Sequence, residues 1–223
     1  MDESGIRSGF DGDAQMNPWQ TVADFERVVA DYAGAPYGVA VDSCTNALFL
    51  SLVLYRLEYG KQTIMIPKRT YVGVAHAIVN AGHICKFESY SWQGAYWLFD
   101  TGRMIPSIRD CARQFTRNMY LPNVSAMYCL SFHTAKHLPI GRGGMILLDN
   151  EDDYKLLKRM RFDGRREGVA PKDDTFDCPG YHMLLEPEQA SRGLQLMQYV
   201  KDYNEDLPMD DYADLSKHEY FSA

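Results

Sequence analysis

Ala126-Met127-Tyr128-Cys129-Leu130-Ser131-Phe132-His133-Thr134-Ala135-Lys136 opens as an apolar run with aromatics and no turn residues through Phe132. That pattern predicts a short buried β-strand. Beyond it, Gly141-Arg142-Gly143-Gly144 breaks the chain, and Met145 to Leu148 begins a second apolar run. Lys136 therefore sits in a loop between two strands, five residues after a serine. A lysine in such a loop is ordinarily a solvated surface charge. Three other segments give it a different meaning.

The first lies near the start of the chain. Gly38 to Val41 is strand-like, and Asp42-Ser43-Cys44-Thr45-Asn46-Ala47-Leu48 leads from it into a long apolar stretch ending near Gly60, which reads as a buried helix. Small and hydroxyl residues at that junction expose backbone N–H groups at a helix N-terminus, where an anion such as phosphate is favoured. An ordinary Ser/Thr N-cap has the same appearance. In the second segment, Asp110 follows Met104-Ile105-Pro106-Ser107-Ile108, a predicted strand. A carboxylate beneath a pyridine nitrogen keeps that nitrogen protonated, so the ring acts as an electron sink. A lone strand-end aspartate is more often merely exposed. In the third, Pro67-Lys68-Arg69-Thr70-Tyr71 follows the β-rich run Thr63 to Ile66 and precedes a small-residue helix ending near Gly82. Tyr71 can offer its face to a flat heteroaromatic ring, or simply pack into the core.

Elements alternate along the rest of the chain. Thr21 to Asp24 reads as a capping box for a helix carrying Phe25, Val28, Val29 and Tyr32 and ending at Gly34. Asp152 to Arg161 reads as an amphipathic helix, and Pro187 suits the first turn of the last one. Strand-like and helix-like segments in alternation predict an α/β fold of three layers, with a mostly parallel central sheet covered by helices. The expected organisation is an N-terminal arm over 1–16, one domain over 17–200 and an acidic C-terminal tail over 201–223. The arm and the tail are polar or acidic and are expected to be poorly ordered unless they pack on a partner.

Composition narrows the classes. The 23 basic and 30 acidic side chains leave a net charge of −7, which argues against broad binding to nucleic acid or an anionic membrane. Five cysteines, odd in number and without CxxC spacing, indicate neither a disulfide framework nor a zinc site. With scattered histidines and no HExxH, no metal site is expected. No apolar run reaches membrane-spanning length and no signal peptide is legible, so a reducing cytoplasm is the expected setting.

Phosphate loop, aromatic, acid, serine and lysine follow one another in a recognisable order. Over roughly Asn17 to Tyr199 the chain resembles the DegT-type sugar aminotransferases, pyridoxal-phosphate enzymes of fold type I. The resemblance implies a shortened version of the aspartate aminotransferase-like large domain. It places Lys136 on the family's Schiff-base lysine and Ser131 on a phosphate ligand. Thr45 and Asn46 fall in the phosphate loop, Tyr71 on the stacking ring and Asp110 on the pyridinium partner. The chain also departs from the family pattern. Arg113 stands where the family usually has Gln or His near the cofactor's phenolic oxygen, and Cys44 replaces the loop glycine. Gly180-Tyr181-His182-Met183-Leu184 stands for Gly-Tyr-Asn-Tyr-Arg, so His182 is a candidate phosphate contact to a partner subunit's cofactor, while Leu184 cannot replace an arginine. The segment between Phe87 and Asp110 is short for the family, and one strand-helix unit is expected to be missing.

The implied chemistry is amino transfer from an amino acid, glutamate being the expected donor, to a keto sugar, expected to be nucleotide-linked. Pyridoxal phosphate and pyridoxamine phosphate would alternate, in a homodimer with its sites at the interface. Two alternatives stand beside it. One is a related sugar dehydratase, disfavoured because those members replace the lysine by histidine. The other is a pyridoxal-phosphate-binding protein of the same fold without transfer activity.

Overall fold

The fold is built around a seven-stranded sheet, seen in a computed structural model that describes residues 18–103 and 105–221. Met104 and the arm anticipated at 1–16 lie outside the described residues. Helix α1 (Pro18–Ala33) precedes strand β1 (Tyr37–Val41), and helix α2 (Cys44–Tyr59) leads to β2 (Thr63–Pro67). Helix α3 (Val72–Asn80) leads to β3 (Ile84–Glu88), followed by β4 (Tyr96–Asp100), β5 (Ile105–Asp110), β6 (Met127–Ser131) and β7 (Gly144–Leu148). Helices α4 (Glu151–Met160) and α5 (Pro187–Met197) complete the set. Helix α1 starts earlier than the capping box predicted, at Pro18 rather than after Thr21, because proline's fixed φ and missing N–H suit a first helical turn.

The strands lie in the order β1-β7-β6-β5-β4-β2-β3. The β2–β3 and β5–β6 pairs are parallel, and the other four pairings are antiparallel. The expectation of a mostly parallel sheet is therefore corrected. Five strands still share one direction, but β4 and β7 run against them and each makes both of its neighbours antiparallel. The β4 reversal has a simple cause. Parallel neighbours need a crossover of a dozen or more residues, usually a helix. Where the sequence is short between Phe87 and Asp110, β4 turns directly into β5 as a hairpin and pairs Tyr96 with Asp110.

Alternation along the inner strands sorts side chains into two cores, giving the three layers. Val39, Val41, Cys129, Ile146 and Leu148 face the side covered by α2, α3 and α4, while Ala40, Tyr128, Leu130, Met145 and Leu147 face α1 and α5. A period of two on a sheet buried on both faces produces this division. Glu26 of α1 ties the second layer to the sheet and to α4. It accepts from the Ala40 N–H at 2.8 Å and pairs with Lys158 at 3.0 Å and with the buried Arg161.

Residues after α5 depart from the expected loose tail. Arg117 pairs with Asp202 at 2.6 Å, Asn204 donates to the Phe115 carbonyl at 2.8 Å, and the Leu207 N–H donates to the Arg113 carbonyl at 2.9 Å. Further on, Lys68 pairs with Asp214 at 3.2 Å, and the Leu215 N–H donates to the Lys68 carbonyl at 2.8 Å. Leu215 and Phe221 are buried in the α2–α3 core. The segment crosses one edge of the sheet as a strap. It is held because its backbone groups and apolar side chains find partners in the same chain.

Candidate active site

The register of the sheet brings the chemistry together. Val41 and Ser131 both pair with Gly144, and Asp110 pairs with both Cys129 and Tyr96. The C-terminal ends of β1, β5 and β6 thus meet the starts of β4 and β7 along one edge, which is where open α/β sheets place ligands. A cavity of about 380 Å³ opens there, roofed in part by the strap.

On one side of the cavity is the start of α2. Ser43 caps it, its hydroxyl accepting from the Asn46 N–H at 3.2 Å. Asp42 accepts from the Asn46 side chain at 2.6 Å and pairs with Arg142 at 2.7 Å. Ser43, Cys44, Thr45 and Ser131 reach the cavity wall. Gly144 makes this close arrangement possible, since a Cβ there would stand 2.5 Å from the Cys44 nitrogen. The N-terminus of a 16-residue helix, with hydroxyls beside it, is a place where an anion is favoured. Cys44 contributes bulk rather than reactivity, because burial first and the nearby Asp110 second push its thiol well up.

Asp110 lies deeper. It is 5% exposed, and its Oδ1 accepts from the Ala112 N–H at 2.9 Å. Burial raises its pKa, opposed by that N–H, by the Tyr96 hydroxyl and by the Lys136 charge. Tyr96 is itself held by Thr70 at 2.7 Å. A buried carboxylate facing a cavity favours a cationic N–H in the space beyond it.

Lys136 stands in the turn after β6, where its N–H donates to the His133 carbonyl at 2.9 Å. Its amine is shifted toward neutrality, mainly by burial and next by the Arg113 charge. Tyr71 lines the cavity with its ring laid over Gly73, where a Cβ would come within 2.6 Å of the ring.

Of the residues singled out in the sequence, Thr45, Tyr71, Asp110, Arg113, Ser131 and Lys136 share this cavity. Asn46 does not reach its wall, being turned to Asp42. His182 also stands outside it, paired with Asp163 at 2.9 Å in a bridge between Phe162 and His182. Next to Lys136 in the chain, His137 faces the Glu205 carbonyl at 2.8 Å. Sequence reasoning missed Trp92, Asp210 and Tyr212, which also line the cavity. Arg113 donates to both Asp210 oxygens, at 2.6 and 2.9 Å. The Tyr212 ring stacks near Trp92 at 6.2 Å between centroids, and the Tyr212 carbonyl accepts from Arg69 at 2.7 Å. No local motif signals these contacts, because the partners are far apart in the chain.

An amine-bearing loop, a buried acid and a helix N-terminus thus meet at one edge of an α/β sheet. The chain belongs to the DegT/DnrJ/EryC1/StrS aminotransferase family, which it matches over residues 8–88 and 104–206. It is similar to the spore coat polysaccharide biosynthesis protein SpsC of Bacillus subtilis, with 23% identity over 81% of this chain and 57% of that protein. Among solved structures, the sugar aminotransferase CalS13 from Micromonospora echinospora shares its fold with a TM-score of 0.66, at 19% identity over 81% of this chain and 60% of that one. NtdA from Bacillus subtilis, solved with bound cofactor PMP, shares it with a TM-score of 0.65, at 18% identity over 81% of this chain and 48% of that one. The chain thus spans about half to three-fifths of the length of these relatives. Among the described residues, no helix is long and apolar enough to cross a membrane.

Proposed function

We propose that this chain is a pyridoxal-phosphate-dependent aminotransferase that moves an amino group from an amino acid, glutamate by preference, to a keto sugar carried on a nucleotide. The observation that carries this reading is the joint placement of Asp110 and Lys136 on one cavity, each shifted by burial toward its neutral form. The residues fit the cofactor. The α2 N-terminus with Ser43, Thr45 and Ser131 would hold its phosphate, Asp110 its ring nitrogen, Tyr71 its face and Lys136 its aldehyde carbon. When bound, pyridoxal phosphate supplies the electron sink and the carbon that carries nitrogen from donor to acceptor.

The chain's own groups do the rest. Lys136 must be neutral to take a proton from the donor's Cα, and burial beside Arg113 moves it that way. Asp110, ionised once a cationic ring nitrogen faces it, keeps that nitrogen protonated. The strap lines part of the cavity through Asp210 and Tyr212. We further propose a homodimer in which His182 serves the second subunit's site. Sedimentation velocity tests this, and a purely monomeric species at micromolar concentration counts against it.

Absorbance spectroscopy tests the cofactor reading. Wild type titrated with pyridoxal phosphate is expected to develop a visible band that Lys136→Ala lacks, and L-glutamate is expected to bleach it. A wild type that binds the cofactor without that band removes the role given to Lys136.

A further inference from the structure

The two arginines on the cavity wall, Arg113 and Arg142, are held in opposite ways. Arg142 is 68% exposed and reaches back to Asp42, which is 20% exposed and fixed by Asn46 and Ser43. There the acid is the anchored member. At Arg113 the order is reversed. Its side chain is 11% exposed, whereas its partner Asp210 is 59% exposed. The Arg113 backbone is pinned on both sides, its N–H donating to the Gly94 carbonyl at 3.1 Å and its carbonyl accepting from the Leu207 N–H at 2.9 Å. Asp210 sits in the strap between Met197 and Leu215, a stretch without helix or strand. The Arg113 Nε is also buried and has no hydrogen-bond partner among the described residues. The guanidinium is thus a largely buried fork lining the cavity, and its two outer nitrogens are occupied by an exposed carboxylate that also accepts from the Tyr212 hydroxyl at 3.2 Å.

We propose that Arg113 is the carboxylate receptor of this cavity and that Asp210 fills it in cis until a small carboxylic acid displaces it. A planar guanidinium binds carboxylates through two parallel N–H···O bonds, the arrangement Asp210 already makes. Because an intramolecular occupant lowers the fraction of receptor that is free, ligand affinity rises when the occupant is removed. The strap then reports ligand entry, since Asp210 gives up its bond from the Tyr212 hydroxyl when it leaves. The inference rests on the amino-transfer reading only for the identity of the acid, which would be the amino donor or its oxo-acid product. Bound at Arg113, such an acid lies next to Lys136, whose amine already feels the Arg113 charge.

The test is calorimetric titration of the whole 223-residue, cofactor-free chain with succinate, an unreactive dicarboxylate, with succinamide as the neutral control. Asp210→Asn is expected to bind succinate about tenfold more tightly than wild type, because the competing intramolecular charge is gone. Arg113→Gln is expected to bind it about thirtyfold more weakly than wild type, and Arg113→Lys, which keeps the charge and loses the fork, to fall between. Hydrogen exchange supplies a second readout, since saturating succinate should speed exchange over residues 205–214 in wild type. Unchanged succinate affinity in Asp210→Asn, or wild-type affinity in a folded Arg113→Gln, overturns the proposal. A parallel cofactor titration separates the two readings. A visible band with no response of succinate binding to these variants removes the receptor and leaves the cofactor reading. The expected succinate pattern without any band does the reverse.

Discussion

The cavity has two unlike walls. One is made by strand ends and the α2 N-terminus, where ladder register sets Ser131, Gly144, Asp110 and Tyr96 side by side. The other is the strap, without regular structure near Asp210 and Tyr212 and held by side-chain latches to Arg113, Trp92 and Arg69. The first wall cannot shift without breaking the sheet. The second can yield by exchanging one ion pair, so constant chemistry belongs on the first wall and variable recognition on the second.

Lys136→Ala should give the largest effect, because it strikes the point where the walls meet. Amino transfer is expected to fall by about 10³-fold or more while circular dichroism stays native. Asp110→Asn sharpens the case for the rigid wall and should reduce transfer by about 10²-fold. The same substitution should raise the melting temperature of the cofactor-free protein. Burial lifts the Asp110 pKa, so the folded state loses stability as pH rises from the ordinary carboxylate value through the lifted one. The advantage of Asn should therefore vanish near pH 3.8 and grow as pH rises from there through the lifted value, which melts across pH will measure.

Stability mutants compare the anchors of the two walls. Glu26→Ala takes one of two shared carboxylates from Arg161 and Lys158, leaving the half-exposed Glu167, and should cost about 3 kcal/mol in chemical denaturation. Leu215→Ala, at the buried foot of the strap, should cost about 2–3 kcal/mol and expose residues 205–214 to proteolysis. Asp202→Asn removes an exposed pair and should change stability by less than about 0.5 kcal/mol. A loss of several kcal/mol there would mean that the strap is as firmly built as the sheet.

The rigid wall was largely legible in the sequence. Gly38 to Leu48, Thr63 to Tyr71 and Ala126 to Lys136 each carry strand, cap and loop in consecutive residues, so their local chemistry is visible in a short window. The direction of β4 was not, since a strand's period of two says nothing about which way its neighbour runs. Asn46 fits the phosphate-loop pattern but turns to Asp42, because a nearby carboxylate outcompetes an open cavity for its amide. The acidic segment after α5 looked like disorder by composition. Its order comes from Arg113, Arg117, Lys68 and Arg69, which match its acids and carbonyls one at a time.

The sequence by itself determined that a strand-loop-lysine unit, a capped helix and a strand-end acid exist, because each depends on neighbours a few residues apart. Only the tertiary structure decided that the three converge on one cavity, that two strands run backwards, and that Asp210 lies on Arg113. Those outcomes depend on ladder register and on pairings between residues about a hundred or more positions apart, which no local pattern encodes.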